Sequence, residues 1–175
     1  MTDGGEQLIN VIQGDYVISR DPKAVLSTVL GSCIAVCMYD PRTGIGGMNH
    51  FLLPSRAGAE GENVRYGAYA MELLINGLLK KGAERSALQA KMFGGASMMG
   101  NLRDIGGSNA AFARQFLRDE GIPCTAESTG GRSARRVKFW PVSGRVRQLL
   151  VAPDAAPVER PAPLPKPVAS EITLF

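Results

Sequence analysis

The stretch from residue 25 to residue 53 constrains the fold more than any other part of the chain. Two apolar runs, residues 25–39 and 48–53, flank the turn sequence DPRTGIGG. Proline and glycine stand where a tight connection needs them, so the sequence predicts two strands joined by a hairpin. The stretch contains two of the three cysteines and the single histidine. We therefore expect Cys33 and His50 on neighbouring segments, within reach of each other.

The remaining pattern alternates strands with two helices. Residues 6–20 indicate one or two strands, and residues 63–81 carry apolar side chains at the spacing of an amphipathic helix. A second helix is expected from Ser108 or Asn109, which are both good N-cap types, to Gly121. Further strand-like runs are ALQAKMF, CTAEST, RRVKFW and GRVRQLLV.

Length and composition favour one domain followed by a tail. A chain of 175 residues that is 45% hydrophobic can bury one core, which we expect to span residues 1–151. Residues 152–175 are rich in proline and lack apolar periodicity, so we expect an extended or disordered tail. Its last residues, EITLF, are apolar again. They fit either a docking peptide or an edge strand, and the sequence leaves both open.

The same composition argues against several classes of protein. No apolar run reaches 18 residues and no secretory signal is recognisable, so a cytoplasmic protein without membrane insertion is expected. In that compartment three cysteines predict no disulfide framework, and they lack the second ligand pair that a zinc site needs. The net charge of +4 reflects basic residues between Arg132 and Arg147. They could attract nucleic acid or an acidic protein surface, but a solvated strand face is the simpler interpretation, and no nucleic-acid partner is expected.

The residue types around the turn suggest a nucleophile and its base. A cysteine attacks as its thiolate, which requires a lowered pKa or an adjacent base, and His50 is the only histidine available. Cys33 follows Gly31-Ser32, where a sharp turn can direct backbone N–H groups towards an oxyanion. Cys37 and Cys124 are expected to be inert packing residues. From the residues alone, a purely structural role for Cys33 and His50 stays open as well.

Five sequence segments form a pattern that is more specific than the pairing of one cysteine with one histidine. LGSCIAVCMYDP, GGMNHFLLP, KMFGGASMM, IGGSNAAF and TGGRSARRVKFWPVSGRV occur in this order. In this combination the chain resembles the CheD family of chemoreceptor glutamine deamidases over residues 8–151. The resemblance implies an α+β fold in which antiparallel sheets pack together in a sandwich-like manner, with helices outside and a single domain. No metal or organic cofactor is implied.

The resemblance also implies an activity and its residues. Family members hydrolyse glutamine side chains on chemotaxis receptors through a Cys–His–Thr triad, which would make Cys33 the nucleophile and His50 the base. The third residue falls on Ser27 by spacing from the cysteine, with Thr28 as the alternative. Backbone amides of Ser32 and Cys33 are expected to bind the oxyanion.

Substrate and partners are less closely defined by the resemblance. Gly94 and Gly95 are expected to let a receptor helix approach, although turn geometry explains these glycines equally well, and Arg132 belongs to the basic cluster that could steer the chain to acidic receptor helices. The expected partners are chemoreceptor cytoplasmic helices and a CheC-type phosphatase. A non-catalytic or weakly catalytic adaptor is the alternative function. The presence of both Cys33 and His50 argues against it, because an adaptor needs no thiol and imidazole pair.

Overall fold

The computed structural model describes residues 5–53, 60–98, 104–151 and 172–175. Within these ranges the chain forms ten β-strands and two α-helices. The strands are β1 (Gln7–Asn10), β2 (Tyr16–Ser19), β3 (Ala24–Leu30), β4 (Ile34–Asp40), β5 (Ile45–Phe51), β6 (Gln89–Gly94), β7 (Cys124–Thr129), β8 (Ala134–Trp140), β9 (Arg145–Val151) and β10 (Ile172–Leu174). The helices are α1 (Glu60–Lys81) and α2 (Ile105–Asp119), and neither is long and apolar enough to cross a membrane.

The strands form two five-stranded sheets. Sheet A has the order β1-β3-β8-β9-β10, and sheet B has the order β2-β5-β4-β6-β7. Most neighbours are antiparallel, but β1 runs parallel to β3 and β6 runs parallel to β7. The predicted α+β class with packed sheets and flanking helices is therefore confirmed, and the sheets are mixed rather than purely antiparallel.

Sheet B is the middle layer of the molecule. One of its faces packs on sheet A, where Leu26 and Phe139 meet Cys37, Met48 and Phe93. Its other face packs under both helices. Strands β4 and β5 are therefore buried along their whole length, which explains why residues 34–39 read as a continuous apolar run without alternation.

The apolar run from residue 25 to residue 39 forms two strands, and the expectation of one strand is wrong. β3 belongs to sheet A and β4 to sheet B, with residues 31–33 crossing between them. The hairpin between β4 and β5 is confirmed, with Ala35 opposite His50. The second helix begins at Ile105, three or four residues before the expected start at Ser108 or Asn109, because Asp104 is its N-cap and accepts from the backbone N–H of Gly107 at 2.8 Å.

The C-terminal tip is an edge strand of sheet A. β10 pairs antiparallel with β9, and the backbone groups of Phe175 and Val146 exchange two hydrogen bonds. The Phe175 ring packs edge-on against Phe93, with ring centroids 5.2 Å apart, at the rim of the core between the sheets. Most of the proline-rich segment, residues 152–171, lies outside the described ranges.

We expect Phe175→Ala to lower the free energy of unfolding by about 1–3 kcal/mol, because it removes an aromatic pair and part of the core rim. Leu174→Ala is the matched control, since Leu174 is 63% exposed, and should change stability by about 0.5 kcal/mol or less. Urea denaturation measures both variants. Equal effects of the two substitutions would show that the tip contributes no specific packing.

Candidate active site

The candidate residues meet where β3 passes into β4, between the two sheets. Thr28 lies on β3 of sheet A, His50 lies on β5 of sheet B, and Cys33 ends the crossing segment. Their exposed fractions are 2%, 7% and 2% respectively. The site is therefore a buried polar cluster inside an apolar layer, where each polar atom needs a partner.

A three-membered hydrogen-bond cluster fixes the imidazole of His50. Thr28 Oγ1 lies 2.8 Å from His50 Nδ1 and donates to the carbonyl oxygen of Val11 at 2.7 Å. His50 Nδ1 also lies 3.1 Å from the same carbonyl oxygen. One ring nitrogen thus has two oxygen neighbours, one from β3 and one from the segment after β1.

The partners of Nδ1 determine the tautomer. The Thr28 hydroxyl has one proton, which goes to the Val11 carbonyl, and that carbonyl can only accept. A hydrogen on Nδ1 satisfies both contacts, whereas a lone pair there would face the carbonyl lone pairs. We therefore assign the neutral ring a proton on Nδ1, so that Nε2 carries the basic lone pair.

Cys33 lies on the same face of sheet B as His50. Ala35 is opposite His50, and Cys33 precedes Ala35 by two residues. Cys33 stands immediately before β4, and the alternation of side chains along that strand, continued by one residue, puts it on the face of Ala35 and His50. Cys33, Ala35 and Met48 all belong to the core between the sheets. The geometry thus brings thiol, imidazole and hydroxyl to the same end of the sandwich.

The carbonyl groups of the crossing segment are anchored one after another. The carbonyl oxygen of Gly31 accepts from Ala96 N at 3.0 Å, and that of Cys33 accepts from Gly95 N at 2.8 Å. Between them, the Ser32 carbonyl accepts from Asn109 Nδ2 at 2.8 Å. Three successive peptide groups therefore have fixed orientations, which holds the segment that carries the thiol.

The two glycines expected to admit a receptor helix make close contacts inside the protein. A Cβ on Gly94, whose φ is +112°, would lie 2.1 Å from the carbonyl oxygen of Cys33. A Cβ on Gly95 would lie 2.7 Å from the carbonyl oxygen of Gly106 on α2. Gly94 thus lets β6 approach the crossing segment, and Gly95 lets α2 approach the chain just after β6. Their contact with a receptor stays a prediction.

Ser27 and Thr28 have different surroundings although they are adjacent. Thr28 makes the contact with His50, whereas Ser27 stands one residue earlier on β3 and so turns its side chain to the other face. The backbone oxygen of Ser27 accepts from Val11 N at 2.8 Å. Spacing favoured Ser27, but the structure brings the alternative, Thr28, to the imidazole.

Asn109 is a residue whose role the sequence pattern did not reveal. It was expected at the start of α2, but it lies inside the helix and is 0% exposed. Besides its bond to Ser32, its Oδ1 accepts from the backbone N–H of Leu53 at 3.0 Å. Asn109 therefore ties the thiol segment to the end of β5. The sequence does indicate the burial of Asn109, because it stands at helical spacing from Ala113 and Leu117, which are also buried in α2.

Val11 and Gln13 also reach the site without having been predicted. Val11 contributes only its backbone carbonyl, which leaves no signature in the sequence. The thiol of Cys33 donates to Gln13 Oε1, with the two atoms 3.6 Å apart. Gln13 lies in the connection between β1 and β2, far from Cys33 along the chain.

The other two cysteines have surroundings that disfavour the thiolate. Burial raises the pKa of the Cys37 thiol far above its usual range, although nearby Lys91 opposes the shift. Cys37 is an inert core residue, as predicted. Cys124 is an exposed residue, so the prediction of core packing is wrong for it. Desolvation of its sulfur and the charge of Glu127 still raise the pKa of this thiol.

The basic cluster is divided between a buried anchor and a solvated face. Arg135 is 5% exposed and donates to the carbonyl oxygens of Gly94 and Gly130, both at 2.7 Å. Arg145 and Arg147 are exposed on β9, and Arg132 is exposed in the turn before β8. Most of the charge therefore has the surroundings of an ordinary strand face, and a steering role for Arg132 stays a prediction.

Comparison with known proteins identifies the family. Residues 52–149 match the family model described as CheD chemotactic sensory transduction. A Caulobacter sp. (strain K31) protein named probable chemoreceptor glutamine deamidase CheD is 63% identical over 95% of this chain and 92% of its own length. A protein of the same name from Rhizobium leguminosarum bv. trifolii is 53% identical over the full length of both chains.

Among solved structures, the Neisseria meningitidis protein NMB0706 is similar with a TM-score of 0.48 and 12% identity, over 74% of this chain and 65% of that one. This likeness is too weak to add to the description of the fold. The sequence matches are much stronger, since the family model covers residues 52–149 and the Rhizobium relative is 53% identical over the whole chain. The chain therefore belongs to the CheD family.

Proposed function

We propose that the protein hydrolyses the side-chain amide of glutamines on chemoreceptor cytoplasmic helices, giving glutamate and ammonia. One observation supports the chemistry most directly: Thr28 Oγ1 lies 2.8 Å from His50 Nδ1. Because this contact involves Nδ1 of the only histidine, the basic nitrogen Nε2 is directed away from Thr28 and can accept the proton of the thiol. The names of the relatives supply the reaction and the substrate class.

The reaction begins with formation of the thiolate. His50 Nε2 takes the proton of Cys33, and the sulfur attacks the δ-carbon of the substrate glutamine. The Thr28 hydroxyl and the Val11 carbonyl hold the Nδ1 proton, so the imidazolium forms in a fixed orientation. The hydroxyl thus acts as a positioning group.

The negative oxygen of the tetrahedral intermediate needs donors that are already oriented. Backbone N–H groups of Ser32 and Cys33 supply them in this proposal, supported by the anchored carbonyls on either side. His50 then gives its proton to the departing ammonia. Water, activated by the same nitrogen, hydrolyses the thioester and restores the thiol. The thiol, the imidazole, the hydroxyl, the two backbone N–H groups and water each have a role in this sequence of steps.

We expect Cys33→Ala and His50→Ala each to reduce kcat on a receptor cytoplasmic fragment by about a thousandfold or more, because both groups act in one unit. Conversion of glutamine to glutamate is followed by peptide mass spectrometry. Cys37→Ala is the matched control, since it removes the other buried thiol, which lies on β4, and it should retain activity. Wild-type conversion by a folded Cys33→Ala protein would contradict the mechanism.

Thr28→Val keeps the shape of the side chain but removes the hydroxyl that orients His50, so we expect kcat to fall about tenfold to a hundredfold. Thr28→Ser should restore most of the activity, because the hydroxyl returns. Ser27→Ala should stay close to the wild type. Initial rates on the same receptor fragment decide between the two residues, and a larger loss for Ser27→Ala would assign the orienting role to Ser27.

Asn109→Ala should destabilise the protein by about 1–3 kcal/mol, because two buried backbone groups lose their partner. It should also lower kcat more than it raises KM, since the Ser32 peptide group loses its anchor. Asn76→Ala, at an exposed position of α1, serves as the control and should change neither quantity. Urea denaturation and initial rates provide the measurements. A stability loss without any change in kcat would limit Asn109 to a structural role.

A further inference from the structure

One side chain in contact with the Cys33 thiol is itself a glutamine. Gln13 Oε1 accepts from Cys33 Sγ at 3.6 Å. Cys33 is 2% exposed, whereas Gln13 is an exposed residue. The exposed residue Gln13 therefore reaches the buried sulfur with the end of its side chain. Its carboxamide is the same chemical group that the proposed reaction consumes.

The backbone around Gln13 is fastened to the catalytic strands on both sides. Before it, Val11 N donates to the Ser27 carbonyl of β3 at 2.8 Å. After it, Gly14 N donates to the His50 carbonyl at 2.7 Å, and His50 N donates to the Asp15 carbonyl at 3.1 Å. These hydrogen bonds fix the backbone of Gln13 close to β3 and β5. The position of its carboxamide relative to the thiol therefore depends on the side-chain torsions of Gln13.

We propose that Gln13 is an intramolecular substrate, which Cys33 converts to glutamate. This inference rests on the proposed function. His50 Nε2 takes the thiol proton, the sulfur bonds to the δ-carbon of Gln13, and the C–N bond breaks as ammonia leaves with the proton from His50. Water then hydrolyses the thioester, so that one water is consumed, one ammonia is released and the thiol is restored.

Distance and entropy both favour this reaction. The δ-carbon is one C=O bond, about 1.2 Å, from the oxygen that already touches the thiol. A torsional change of the exposed side chain can bring it to the roughly 3–3.5 Å at which a nucleophile attacks. Because the thiol and the carboxamide belong to one chain, no translational freedom is lost when they meet.

The product would change the site. A glutamate in place of Gln13 puts a carboxylate where a neutral amide now accepts from the thiol, and a like charge there disfavours the thiolate. Conversion of Gln13 would therefore lower activity on receptors, so that the protein loses activity as it ages. While Gln13 remains an amide, it competes with the receptor glutamine for the sulfur.

The test is a peptide map of the purified protein during incubation at neutral pH, with receptor fragment deamidation followed in parallel. We expect Gln13 to become glutamate in the wild type and to remain glutamine in Cys33→Ala. Exposed Gln7 is the internal control and should remain unchanged in both. Equal conversion of Gln13 in the two proteins, with receptor fragment still converted by the wild type, would overturn the inference and leave the proposed function intact. No conversion of the receptor fragment would overturn the proposed function itself.

Two further measurements separate this inference from other roles of Gln13. Isotope-labelled Cys33→Ala mixed with wild type should keep its Gln13, since the reaction is intramolecular, and its conversion would overturn that point. Gln13→Ala should lower KM for the receptor fragment by about two- to tenfold, because a competing group is removed. A large fall in kcat instead, without Cys33-dependent conversion, would show that the carboxamide assists the reaction as a donor and is not a substrate.

Discussion

The hydrogen bonds among Thr28, His50 and the Val11 carbonyl are the constraint on which the site depends. They join β3 of sheet A, β5 of sheet B and the connection that follows β1, and they do so inside an apolar layer. A polar cluster in such surroundings is stable only if every member finds a partner, so it accepts one arrangement of β3 against β5. The relative position of the two sheets and the orientation of the imidazole are therefore fixed together.

The fold creates this cluster by leading one apolar run from sheet A into sheet B. The crossing at residues 31–33 leaves the thiol at the end of the sandwich, and β6 and α2 close around it. Gly94, Gly95 and Asn109 make that closure possible, two by lacking a side chain and one by bonding the carbonyl of Ser32. Residues of β6, α2 and the chain between them thus fix the backbone of the segment that carries the thiol.

The sequence predicted the parts of the site that depend on residue type and strand order. Cys33 and His50 followed from the scarcity of histidine and the hairpin, and the family followed from the motifs. The sequence could not choose between Ser27 and Thr28, because β3 is buried on both faces and shows no alternation, with both residues under 10% exposed. Val11, Gln13 and Asn109 act through backbone groups or contacts distant in sequence, which a local pattern does not encode.

The burial of the thiol bears on which amides the protein can attack. With Cys33 only 2% exposed, a substrate group must reach inward past the surface of the domain. Backbone amides of a folded helix are held in their own hydrogen bonds and cannot extend in this way. A glutamine side chain places its carboxamide on a flexible stem, one methylene longer than that of asparagine. In the proposed mechanism, the recessed position of Cys33 therefore favours a glutamine side chain on a helix surface over a backbone amide or an asparagine, because only the glutamine side chain has the required reach.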